Sequence, residues 1–191
     1  MDTVILVSRQ LLLFAHLVAF ALAFATILRE DLALMRSWRI DVAQLERTGR
    51  IVVLLLAALW LTGGGLILLD VGTDLSAFLN RPKLMTKVGV VALLTINGLL
   101  LHTVAFPMLT RPQSHPGRAA AICAVLGAVS SVSWGYAAFV GTARIISPMM
   151  TLESFLSLYV IALAVGLGVA LVVVRPMVRH LIQSAGRPAL G

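Results

Sequence analysis

Two histidines, His16 and His102, lie in stretches where no charged residue falls within six positions on either side. An imidazole can accept a proton, donate a hydrogen bond or ligate a metal through either ring nitrogen. A single imidazole in apolar surroundings is adequately explained by a hydrogen bond to a carbonyl on a neighbouring helix. Two of them permit a further chemistry, axial ligation of one haem iron from both sides. His115 and His180 sit in or beside polar segments and need no such account.

The elements that must position these residues are apolar throughout. Hydrophobic residues make up 60% of the 191 and charged residues 12%, with a mean hydropathy of +1.01, against about a quarter charged in an ordinary soluble domain. The apolar residues group into five runs, Ile5 to Leu28, Ile51 to Leu69, Leu84 to Met108, Ala119 to Val140 and Phe155 to Val174. Each is near the ~20 residues that cross a bilayer as a helix. The expected fold is an all-α integral membrane protein, a single domain over residues 1–191 with five transmembrane helices, four of them gathered around a cofactor site. The first run has some features of a secretory signal, Arg9 ahead of an apolar stretch ending in "ALAFA". Asp2 and the apolar "VILV" before Arg9 make a poor charged leader, so the run is read as a retained span.

Lys and Arg number five on the side of the N-terminus and ten on the other. The richer side is expected to be cytoplasmic, which places the N-terminus outside and the C-terminus inside a bacterial inner membrane. The net charge of +7 therefore calls for anionic lipid rather than nucleic acid. The segment Arg29 to Arg50 mixes both signs of charge with Leu32, Leu34, Met35, Trp38 and Ile40, a spacing that predicts a short amphipathic helix lying at the interface. Cys123 is the only cysteine, which excludes disulfides and cysteine-ligated clusters within one chain. An intramembrane proton or ion path would want a carboxylate, and the only acids at hand, Asp70 and Glu153, lie near span ends, which makes such a path a weaker expectation.

Depth gives the test of a shared haem. His16 stands 13 residues before Arg29 and His102 nine before Arg111, which puts them within about 6 Å of one level at 1.5 Å per residue. Ala19 and Ala23 on the face of His16, and Gly98 one turn before His102, are small enough to leave room for a macrocycle. Gly64, within "TGGG" at Thr62 to Gly65, offers another flat wall, and Lys87 a cation for a propionate. Asn97 and the serines at 130, 131 and 133 are expected to make interhelical hydrogen bonds.

A first helix bearing "FAHLVAFALAF" and a third bearing "TKVGVVALLTINGLLLH" resemble small bacterial membrane proteins of the CopD and HemJ-type group, over roughly residues 11–107. HemJ-type members are haem-associated protoporphyrinogen oxidases, and CopD-like domains are linked to copper tolerance. The resemblance implies His16 as a haem ligand and the Lys87 to His102 helix as the other half of the site. The Lys-to-His spacing and the charged first connection depart from the HemJ pattern.

The expected function is a b-type haem protein of electron transfer or membrane redox chemistry, metal-binding through His16 and His102. Its partners would be the bilayer, a quinone or protein redox partner, and a second copy in a homo-oligomer. The competing expectation is a haem-free assembly subunit or small transporter, copper handling included. The methionines are scattered apart from Met149 and Met150, which makes the copper version the weaker.

Overall fold

The computed structural model describes residues 3–36 and 41–185. Among these, five helices are long and apolar enough to cross a membrane, the architecture of a multi-pass membrane protein. The first, α1 (Thr3–Arg36), is a single helix of 34 residues, and no glycine or proline interrupts it. Next comes α2 (Val42–Val71), which begins at Asp41, whose carboxylate accepts from the Gln44 N–H, and ends at Gly72. Gly72 takes a φ of +60°, where a side chain would be strained.

A one-turn helix, α3 (Leu75–Leu79), is capped by Asp74. Hydrogen bonds from the Ser76 hydroxyl and from the backbone of Ala77 and Ser76 hold the Asp74 carboxyl below its usual range. The third span is α4 (Pro82–Leu100), a π-helical turn (Leu101–Ala105) and α5 (Phe106–Thr110) in one line. The fourth is α6 (Pro116–Thr142). The last span comprises α7 (Leu152–Val169), a second π-helical turn (Ala170–Val174) and the start of α8 (Arg175–Ala185). Pro82 and Pro116 occupy first turns, where the missing N–H costs nothing.

α1 and α2 form an antiparallel hairpin, closed at one end by the Arg9–Asp70 ion pair at 2.6 Å. α6 runs through the middle of the bundle, touching α1, α4, α7 and α8. It is also the most buried span, with Ala120, Ala124, Ser133 and Val140 at 2% exposure or less.

One core cluster joins Ala23, Leu59, Val90, Leu94, Trp134 and Phe155; a second joins Leu45, Ala105, Leu109, Ala120 and Ile182. The outer faces are strongly apolar, with Leu61 78% and Val172 76% exposed. A water-facing monomer rarely shows such continuous apolar surface, whereas lipid accepts it.

The segment expected to form a separate interfacial helix is divided between the ends of α1 and α2; Trp38 and Ile40 lie outside the described residues. A helix that is already hydrogen-bonded gains one further bond per residue by continuing, so extension is favoured over a fresh nucleus.

Polar groups inside the bundle meet across helices, as in lipid they must. The Asn97 amide donates to the Leu126 carbonyl at 3.1 Å, Ser133 and Tyr159 share a hydrogen bond of 2.9 Å, and the Tyr136 hydroxyl donates to the Phe155 carbonyl. Tyr136→Phe is expected to lower stability by on the order of 1 kcal/mol with helix content unchanged, measured by unfolding the purified protein in increasing dodecyl sulfate.

Candidate functional site

His16, Thr62 and Gly63 come together where α1 crosses the glycine-rich part of α2. The imidazole Nδ1 lies 2.8 Å from the Thr62 hydroxyl. That hydroxyl also lies 2.6 Å from the Ala58 carbonyl one turn back. A carbonyl can only accept, so the threonine proton goes to Ala58, and Thr62 then accepts from His16. His16 therefore carries its proton on Nδ1, and Nε2 presents a lone pair with no hydrogen-bond partner among the described residues. Gly63 is what lets the ring approach: a Cβ there would stand 3.3 Å from His16 Cε1.

Cations cap this end of the bundle. Lys87 on α4 is near enough for its charge to act on His16, and Asp70, Lys83 and Arg144 are in turn within electrostatic reach of Lys87. The Lys83 ammonium donates to the Ala143 carbonyl at 3.0 Å, tying α4 to the end of α6.

His102 occupies the π-helical turn and rests on a different part of α2. A Cβ at Gly49 would collide with its ring, standing 2.9 Å from Nε2. Phe106 meets the imidazole edge-on at 4.8 Å between centroids. The ring borders a cleft of about 260 Å³ that Glu46, Phe106 and Arg111 also line.

The two histidines are consequently not brought to one iron. Gly49 and Gly63, the residues they rest on, are 14 apart on one helix, about 21 Å along its axis. The expected level was set by taking Arg29 as the end of the first span, but α1 continues to Arg36 and His16 lies correspondingly deeper from that end. A haem shared by His16 and His102 does not fit these residues.

Ala19 and Ala23, expected to leave space beside His16, are 7% and 0% exposed in the core and supply no open wall. Gly64 and Gly98 do have open space where a side chain would be; Gly64 adjoins the His16 contact at Gly63. Trp134 and Tyr136 are core residues.

The structure adds two carboxylates that lay, by sequence, in a presumed connection. Glu30 is buried at 9% exposure, and one of its oxygens accepts from Gln44 at 2.9 Å and Thr48 at 2.8 Å, with Arg29 at 3.7 Å. Asp31 accepts from the Ser131 hydroxyl at 2.6 Å. Asp70 and Glu153 are thus not the only acids in the spans. The signal was present: from Met1 to Thr48 the chain contains neither glycine nor proline, and Ile27, Glu30, Asp31 and Leu34 share a helical face.

Among the described residues no three His, Cys, Asp or Glu side chains group as a metal site. No family model matches the chain, and no curated protein or solved structure matches it.

Replacing Glu30 with Ala leaves the Gln44 amide and the Thr48 hydroxyl without their acceptor. A loss of roughly 1–3 kcal/mol is expected, with Glu30→Gln, which keeps a carbonyl oxygen, costing less; unfolding in dodecyl sulfate measures both.

Proposed function

We propose that this chain is a b-type haem protein of the bacterial inner membrane, serving electron transfer or membrane redox chemistry, with His16 as the one protein ligand to the iron. The observation that carries the reading is the Thr62 hydrogen bond. It fixes the proton on Nδ1 and leaves Nε2 as a neutral donor, the arrangement in which metal-binding histidines are held by a second partner. One-histidine ligation is an ordinary mode for haem, and the group supplies reversible one-electron chemistry when bound.

The chain's own residues do the rest. Thr62 orients the imidazole, Gly63 admits it against α2, and Lys87 with its neighbouring cations favours an anionic group such as a propionate beside His16. The resemblance of the His16 and Lys87 helices to the HemJ-type pattern supports the same pairing. The excess of Arg and Lys at the other end supports an N-terminus outside and a C-terminus in the cytoplasm.

A haem-free small transporter is a second reading, favoured by Glu30 and Asp31 inside the first span, since acids there often mark a proton or ion route.

A reduced-minus-oxidised spectrum and pyridine-haemochrome assay on protein produced with ample haem separate the two. Stoichiometric b-type haem is expected in the wild type and in His102→Ala. His16→Ala should lose it while still inserting, and Thr62→Val should weaken binding by roughly tenfold or more. A haem-free wild type, or full retention in His16→Ala, would sink the assignment.

A further inference from the structure

The cleft beside His102 has no part in the site at His16. It opens at the other end of the bundle, between the start of α2 and the end of the third span. Its apolar wall includes Val42, Leu45 and Phe106, and its polar groups are His102, Glu46, Thr110 and Arg111. At about 260 Å³ it lies near the low end of ligand cavities, the size of a single-ring head group and far short of a macrocycle.

Three features make this a built place rather than a surface dent. The helix widens into a π turn at residues 101–105, a distortion that recurs at functional sites because it re-aims a side chain. His102 stands within this turn. Gly49 then admits the ring against the α2 backbone, and Phe106 fixes it edge-on. His102 is half-buried and has no hydrogen-bond partner among the described residues, so its ring nitrogens are left to whatever enters the cleft.

We propose that this cleft binds the head group of a lipid-soluble quinone or quinol. Its ligand must be flat and apolar on its faces to lie against Phe106 and Val42, yet polar at its edges to satisfy His102 and Arg111. A quinone ring with opposed oxygens meets both demands. Imidazole serves either redox form, donating an N–H to a quinone carbonyl or accepting the O–H of a quinol. Arg111 offers a second donor at the mouth, and Glu46 an acceptor for a quinol proton. The cleft's position at the end of the spans gives an isoprenoid tail a route to the bilayer. Head-group binding here does not depend on haem at His16.

The test is photolabelling of the full-length protein in nanodiscs with an azido-quinone, with labelled residues mapped by mass spectrometry. Label is expected within residues 42–49 and 102–111, and a short-chain ubiquinone should compete it away. His102→Ala should weaken competition about tenfold, the effect of one lost hydrogen bond to a desolvated group. Arg111→Gln, which leaves the π turn alone, should weaken it severalfold and covers the case in which His102→Ala folds poorly. His16→Ala should label as the wild type does, so that loss of haem and loss of quinone binding are read separately. Label spread over the lipid-facing helices without competition would overturn the proposal. So would displacement of the label by phosphatidylglycerol alone, which would mark the cleft as a site for anionic lipid.

Discussion

The fold depends on how closely neighbours can approach α2. Between helices in lipid there is no hydrophobic force comparable to that in water, and association rests on packing and interhelical hydrogen bonds. Gly49 and Gly63 strip α2 of side chain at two points, and an imidazole from a different helix settles on each. The contact at Gly63 belongs to the α1–α2 hairpin, that at Gly49 to the π turn of the third span. A methyl group at either position would push a ring, and with it a helix, away from its partner.

Hydrogen bonds then specify which approach is native. Gln44 and Thr48 converge on Glu30, Ser131 reaches Asp31, Asn97 reaches the Leu126 carbonyl, and Trp60 donates to Thr95. Each joins two helices whose apolar surfaces would slide past one another at little cost. Burying a carboxylate is unfavourable by itself, and Glu30 is tolerated because two side-chain donors meet it at one oxygen. These contacts set the register of the bundle, and the exposed leucines and valines outside it leave the lipid face unspecified.

The existence of five spans was legible because hydropathy accumulates over twenty residues and tolerates local exceptions. Their ends were not, since charge marks where a helix leaves the membrane and says little about where it stops being helical. The error at Arg29 had consequences in two places. It hid Glu30 and Asp31 in a connection, and it put His16 at a depth that matched His102. In the sequence Thr62 is only the first residue of a permissive glycine run; that its hydroxyl meets His16 depends on the rotation of α1 about its axis, which a helix with apolar residues all round does not reveal. Ala19 and Ala23 carry the same lesson from the other side. Small residues mark close approach, and whether a cofactor or another helix does the approaching is a tertiary fact.

Separating the histidines changes what each can do. With both on one iron, the protein would be a sealed carrier that exchanges electrons only through its edges. Set apart, one imidazole has its tautomer fixed by Thr62, near Lys87; the other, with no hydrogen-bond partner among the described residues, borders a small cleft with an acid, a base and an aromatic face. Ligation and substrate chemistry make opposite demands on a histidine, since a ligand must be held still and a proton-exchanging group must be reached from outside. On the reading proposed above, the hydrogen bond to Thr62 would meet the first demand and the opening beside Glu46 the second. α2, which contacts both imidazoles, fixes the separation between them.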